Sequence, residues 1–60
     1  MWIARDKDGT LFVYGEEPIR YHIYFDSRKP YDSIMLDSKE FPEVTFENSP
    51  QEVELKLIDK

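Results

Sequence analysis

MWIARDKDGTLFVY, residues 1–14, places an Asp-Lys-Asp-Gly turn sequence between two runs of β-forming residues. An Asp-Gly pair flanked by such runs is a strong hairpin signal, because glycine adopts the positive φ that a tight strand reversal needs. The segment therefore predicts a β-hairpin with strands near residues 1–5 and 10–14. From this feature we expect a small β protein built from hairpins.

Further along the chain, glycine and proline separate short segments in which apolar and polar residues alternate, as in half-buried strands. Asp37 precedes a stretch typical of one short helical turn, near 38–41, which Pro42 ends. We predict a single all-β domain over residues 1–60: a small antiparallel meander of five or six strands, forming a curled sheet or a small barrel. The further strands are expected at residues 19–25, 33–37, 43–47 and 52–58.

The expected core follows from the inward face of each strand. Both faces of the first hairpin are apolar, and two explanations stay open. Either the loop around Phe41 covers the second face, or that face is exposed and serves self-association. The predicted core residues are Trp2, Leu11, Val13, Ile23, Phe25, Ile34, Leu36, Val44, Phe46, Val53, Leu55 and Leu57.

The charge distribution bears on the kind of partner. The net charge is −5, and residues 1–31 are neutral overall, so the acidic excess lies in residues 32–60. Such a field disfavours nucleic acid and anionic membranes and favours a basic partner. The alternative is that the charge only keeps a β protein soluble and protects its strand edges.

Composition also limits cofactors and location. The chain has no cysteine and one histidine, which excludes disulfides and Cys-based metal sites and argues against a zinc site, so no cofactor is expected. There is no secretory signal and no apolar run long enough to span a bilayer. We therefore expect a cytoplasmic protein that does not bind a membrane.

Neither candidate for chemistry is persuasive in the sequence. Asp6-x-Asp8-Gly9 resembles the start of a calcium loop, but the glycine is fourth instead of sixth, which favours a plain turn. His22 lies between Arg20 and Tyr24, and a catalytic histidine needs a nucleophile or carboxylate placed beside it. Since the sequence places none there, we expect no catalytic residue, no metal site, no small-molecule substrate and no enzymatic activity.

Three segments resemble those of known proteins. They are residues 2–11, residues 36–47, which include Phe-Pro-Glu-Val-Thr-Phe-Glu, and residues 52–55. In these the chain resembles a family of short bacterial proteins of unknown function and of this same length. The resemblance implies that the chain is a complete small protein. It assigns no activity, ligand or site to any residue.

Without a catalytic pattern, the surplus apolar surface predicts a small acidic protein-interaction module that binds a protein partner or forms a homo-oligomer. One alternative is a structural subunit of a larger assembly. Another is single-stranded nucleic-acid binding through residues 19–25, where aromatic and basic side chains interleave. The candidate interface consists of Trp2, Phe12, Tyr14, Arg20, His22 and Tyr24.

Overall fold

The computed structural model describes residues 1–54, and its architecture is all-β, as the sequence predicts. Within these residues there is no helix, and six short strands form two antiparallel sheets. The strands are β1 (Trp2–Arg5), β2 (Leu11–Tyr14), β3 (Ile19–Arg20), β4 (Phe25–Asp26), β5 (Ser33–Leu36) and β6 (Gln51–Glu52).

The first hairpin forms as predicted, and local chemistry explains its turn. Gly9 has φ of +100°, and its N–H donates to the Asp6 carbonyl at 2.9 Å. The Thr10 N–H donates to Asp8 Oδ1 at 3.0 Å, and the Asp6 N–H donates to the Thr10 carbonyl at 2.8 Å. These contacts lie within five consecutive residues, so the sequence alone could specify the turn.

The register of this hairpin decides which side chains share a face. Trp2 lies opposite Tyr14 and Ala4 opposite Phe12, whereas Ile3 lies opposite Val13 and Arg5 opposite Leu11. Opposite residues point to the same side of a sheet. One face therefore carries Trp2, Ala4, Phe12 and Tyr14, and the other carries Ile3, Arg5, Leu11 and Val13.

The predicted meander, in which neighbours in sequence are neighbours in the sheet, is wrong in its strand order. The main sheet has the order β5-β2-β1-β6, and β3 and β4 pair only with each other. Both edges of the first hairpin are occupied, by β5 and by β6, so the next segment along the chain finds no free edge on that hairpin. Within residues 1–54, β5 and β6 are each paired on one side only, and closure into a barrel is not observed.

Two predicted strands do not form as expected. Residues 19–25 reverse direction, and only their ends are extended, as β3 and the start of β4. Residues 43–47 form turns, because Asn48 accepts the Thr45 N–H and donates from Nδ2 to the Glu43 carbonyl, which offers the backbone an alternative to a ladder. Of the predicted strand 52–58, only Glu52 lies in a strand, the two-residue β6. Residues 53–54 are not in a strand, and the part beyond residue 54 lies outside the described residues.

The short helical turn is a single hydrogen-bonded turn. The Glu40 N–H donates to the Asp37 carbonyl at 2.9 Å, and Asp37 Oδ1 accepts the Lys39 N–H at 3.0 Å. Phe41, which precedes Pro42, has φ of +49°. The turn therefore stops before a helix can form, as the proline requires.

The core is divided between the two faces of the first hairpin. On one face Ile3, Leu11 and Val44 are buried, with Leu36, Phe41 and Val53 packed against them. On the other face Ala4, Tyr14 and Phe25 are buried, with Trp2, Phe12 and Phe46 packed against them. The chain itself thus covers both faces, one of them with the loop around Phe41.

The predicted core is correct in part. Leu11, Val13, Phe25 and Val44 are buried, and Trp2, Leu36, Phe46 and Val53 are partly buried. The prediction is wrong for Ile23 and Ile34, which are 54% and 64% exposed. Ile23 lies in a loop, and Ile34 lies on an outer strand. Leu55 and Leu57 lie outside the described residues. Ile3, Ala4 and Tyr14 are core residues that the prediction did not include.

Arg5 fixes the loop that covers the face of Ile3. Its guanidinium donates five hydrogen bonds, all to backbone carbonyl oxygens. A guanidinium has five N–H donors, so each of them is used. Four of these carbonyls belong to the segment that packs on this face, which makes Arg5 a structural residue. The acceptors are the carbonyls of Gly9, Ser38, Glu40, Phe41 and Val44.

Candidate interaction surface

Three of the six candidate interface residues belong to the packed face of the first hairpin. Tyr14 is only 2% exposed, and its hydroxyl donates to the Phe25 carbonyl at 3.4 Å. Burial, with Asp6 and Asp26 nearby, raises the pKa of Tyr14 to about 12. Trp2 and Phe12 are half-buried against the same cluster. Tyr14 is therefore unavailable to a partner, because β4 and Phe46 already cover this face.

Arg20 is exposed, but its guanidinium is committed within the chain. Nη1 donates to the Phe46 carbonyl at 3.0 Å and to the Ser49 carbonyl at 3.1 Å. The guanidinium carbon lies 4.2 Å from the centre of the Phe46 ring and 5.4 Å from that of Phe25. These contacts tie β3 to the segment that follows Val44, so Arg20 mainly holds the second hairpin in place.

His22 and Tyr24 are the two candidates that lie on an accessible surface. They belong to the loop that joins β3 to β4, and we call the four exposed residues Tyr21, His22, Ile23 and Tyr24 the tip surface. Tyr21 and Tyr24 are each 43% exposed, and Ile23 is 54% exposed. Three of these four positions therefore expose large apolar groups to solvent, and a cluster of this kind often marks an interaction site.

The tip surface is held against the turn of the first hairpin. The Tyr21 N–H donates to the Tyr24 carbonyl at 2.8 Å, which closes the loop. The Lys7 N–H donates to the Ile23 carbonyl at 2.9 Å, and the Phe25 N–H donates to Asp6 Oδ1 at the same distance. These bonds fix the loop at both ends, so its apolar side chains are presented on a defined backbone.

The two tyrosines of the tip surface stack on each other. Their ring centres are 5.1 Å apart, and the ring planes are inclined by 19°. Sequence reasoning missed this pair because it treated residues 19–25 as one strand, in which positions 21 and 24 point to opposite faces. The absence of a proline or glycine in this segment left no local sign of the reversal.

A small cleft lies between the tip surface and the first turn. Its volume is about 270 Å³, and it is lined by Asp6, Lys7, Asp8, Ile23 and Tyr24. Burial raises the pKa of the Asp6 carboxyl, and the hydrogen bond from the Phe25 N–H opposes this rise. Hydrogen bonds from Thr10 lower the pKa of Asp8. The cleft thus combines an apolar wall with two acidic side chains and Lys7.

The arginines and the lysine of residues 20–31 are engaged by the chain itself. Arg28 Nε donates to the Glu17 carbonyl at 2.7 Å, and Lys29 Nζ lies 3.1 Å from Glu16 Oε2. The Arg20 guanidinium donates to the carbonyls of Phe46 and Ser49. A surface that binds single-stranded nucleic acid needs cations that can follow the phosphates. The arrangement around residues 20–31 is therefore poorly suited to that role.

Asp26 and Asp32, the acidic residues that follow His22 most closely in the chain, both accept hydrogen bonds from backbone N–H groups. Asp32 accepts the N–H groups of Gly15 and Glu16 through its two carboxylate oxygens, and Asp26 Oδ1 accepts the Ser27 N–H. Among residues 1–54, no group of three His, Cys, Asp or Glu side chains is placed to hold a metal ion. In the same part of the chain, no helix is long and apolar enough to cross a membrane.

Comparison of the chain with protein-family models, with curated proteins and with solved structures gives no match. The resemblance to short bacterial proteins therefore stays a prediction. The function has to be argued from the surface itself.

Proposed function

We propose that this chain is a small acidic protein-interaction module without catalytic activity, and that the tip surface is its contact site. The observation that carries the proposal is the exposure of Tyr21, Ile23 and Tyr24 on a loop fixed by backbone hydrogen bonds. Large apolar groups exposed on a fixed backbone lose little conformational entropy when a partner covers them.

The chemistry around the tip surface supports a partner segment that is both apolar and basic. An apolar side chain of the partner would pack on Ile23 and Tyr24, beside the cleft. A Lys or Arg next to it would meet Asp6 and Asp8, which line the same cleft. Tyrosine is enriched at protein interfaces because its ring packs while its hydroxyl stays hydrated.

The first hairpin takes a different part in this proposal from the one expected from sequence. Trp2, Phe12 and Tyr14 support the contact site from below, by holding the second hairpin, and do not touch the partner. His22 and Tyr24 are contact residues, and Arg20 fixes the position of β3. We also propose a cytoplasmic location, since a fold without cysteine needs no oxidising compartment.

Selection of peptides from a random displayed library on the immobilised protein tests this function. We expect enriched peptides that pair an aromatic or aliphatic residue with Lys or Arg. Their binding should fall at least about tenfold in Ile23→Asp and in Tyr24→Ala, in line with the loss of a central interface residue.

Tyr31→Ala is the matched control, because Tyr31 is a fully exposed tyrosine outside the tip surface. It should leave binding unchanged. Enriched peptides that bind Ile23→Asp and Tyr24→Ala as well as the parent protein would show that the contact site is elsewhere.

A further inference from the structure

The outer strand β5 (Ser33–Leu36) forms one edge of the main sheet in residues 1–54. It pairs with β2 on one side only, within the residues that the structure describes. Ile34 and Met35 are 64% and 65% exposed and point to opposite faces of the sheet. Natural proteins usually protect such an edge with lysine, proline or a bulge, and residues 33–36 contain no charged residue and no proline.

The hydrogen-bonding pattern shows which backbone groups this edge presents. The Asp6 N–H donates to the carbonyl of the residue opposite it, Thr10, as in the hydrogen-bonded pairs of an antiparallel ladder. Such pairs alternate along an antiparallel ladder, so Phe12 directs its N–H and C=O toward β1. Leu11 and Val13 then face β5, and Met35, opposite Phe12, directs its own N–H and C=O away from the sheet.

We propose that β5 pairs with β5 of a second copy of this chain, about a two-fold axis at Met35. The two Met35 residues would exchange reciprocal N–H···O=C bonds. The two four-stranded sheets would then join into one continuous antiparallel sheet. This inference concerns an edge distinct from the tip surface, and it does not depend on the proposed function.

Side-chain complementarity selects the register. A two-fold axis perpendicular to a sheet keeps each face continuous, so it pairs residues that already point to the same side. Centred on Met35, it places Met35 against its own copy and Ile34 against the second copy's Leu36. Centred on Ile34 instead, it would place Ser33 against Met35 and Asp32 against Leu36. The first register pairs Ile34, Met35 and Leu36 only with apolar residues, whereas the second places Met35 and Leu36 opposite polar ones.

The charges near β5 are compatible with a second copy despite the net charge of −5. The Asp32 carboxylate is engaged by the N–H groups of Gly15 and Glu16. Asp37 would lie opposite the second copy's Ser33 and not opposite another acid. Because four residues make a small interface, the dimer should be concentration-dependent, and added salt should strengthen it by screening the acidic chains.

Analytical ultracentrifugation over a wide concentration range tests the proposal. The parent chain should pass from monomer to dimer, and Met35→Lys should weaken the dimer at least about tenfold, because it places two ammonium groups opposite each other. Ile23→Lys is the matched control, since it alters a similarly exposed apolar residue on the tip surface, and it should leave the dimer intact.

Cross-linking tests the register in a second way. The chain has no cysteine, so Met35→Cys introduces a single thiol. A short bis-maleimide should link Met35→Cys into a covalent dimer and leave Ile23→Cys monomeric. A parent chain that stays monomeric at every concentration, or equal cross-linking of the two variants, would overturn the proposal. A reversed pattern would assign self-association to the tip surface.

Discussion

Both hairpins of this protein are rich in β-forming residues, but they differ in the length of their strands and in how much of their surface the chain covers. Residues 1–14 form two four-residue strands whose faces are both covered, whereas residues 19–26 form two strands of two residues each and leave their loop in solvent. The first contains an Asp-Gly turn, and the second reverses at Tyr-His-Ile-Tyr, without glycine or proline. The first reversal is set by local chemistry. The second is closed by the hydrogen bond from Tyr21 to Tyr24 and is held in place by bonds to the first turn.

This difference implies an order of dependence. The second hairpin relies on Lys7 and Asp6 of the first turn and on Arg20 against Phe46. The first hairpin relies on its own turn and on the loop that Arg5 holds. Damage to the first hairpin should therefore disturb the whole domain. Damage to the tip surface, which does not include the buried Phe25, should remain local.

The largest effect is expected for Arg5→Lys. A lysine has three donors on one nitrogen and cannot reach five carbonyls that surround a planar guanidinium. Several partly buried carbonyls would lose their partners, and we expect the free energy of unfolding to fall by about 3 kcal/mol. Urea denaturation measures this loss.

Arg28→Lys is the control for that experiment. Arg28 is exposed, and its Nε donates to one carbonyl, that of Glu17. Its replacement should change stability by no more than about 0.5 kcal/mol. If the two variants lose the same stability, Arg5 does not hold the covering loop.

A smaller effect is expected for Gly9→Ala, which tests whether the first turn is set locally. A Cβ at Gly9 meets no atom within 4 Å, so the cost comes from the backbone at φ of +100° alone. We expect a loss of about 1 to 2 kcal/mol in thermal or urea denaturation. Unchanged stability would mean that tertiary contacts, and not the glycine, determine this reversal.

Asp6→Ala should weaken the contact between the two hairpins without disrupting the first. It removes the acceptor of the Phe25 N–H, and we expect a loss of about 1 kcal/mol. Amide hydrogen exchange should quicken at Lys7 and Phe25 and stay slow within β1 and β2. Asp6→Asn keeps a side-chain oxygen and should preserve most of this protection. Uniformly faster exchange would contradict the order of dependence proposed above.

The smallest effect concerns pH, and it has opposite signs at two neighbouring carboxylates. The pKa of Asp6 is raised in the folded state, so the unfolded chain releases that proton first. Its contribution to stability is complete below pH 3.8, the ordinary value, and is lost as pH rises from there through the folded pKa. The pKa of Asp8 is lowered, so its contribution grows as pH rises from its folded pKa to above 3.8.

Unfolding measured between acidic and neutral pH checks these signs. Asp6→Asn should remove a falling component of the stability curve, and Asp8→Asn should remove a rising one. Curves that shift in the same direction for both variants would contradict the environments described for the two groups.

Sequence patterns predicted strands well where a local turn defined them. The first hairpin and the Asp37 turn follow from residues within five positions of each other, and both are present. Alternation failed at residues 19–25, because period-two spacing says nothing about whether an edge is free to receive a strand. It failed at residues 43–47 because the Asn48 side chain hydrogen-bonds to the backbone there. Of the candidate contact residues, His22 and Tyr24 are accessible, while Tyr14 is covered by a segment more distant in the chain.

The sequence by itself determined the all-β class, the first turn and the apolar character of both faces of the first hairpin. Short-range preferences suffice for these, since a φ value or a side-chain period depends on a few adjacent residues. The tertiary structure alone decided what covers each face, what Arg5 binds and which apolar residues stay in solvent. Each of these depends on groups far apart in the chain, such as Arg5 and Val44, whose meeting no local pattern encodes.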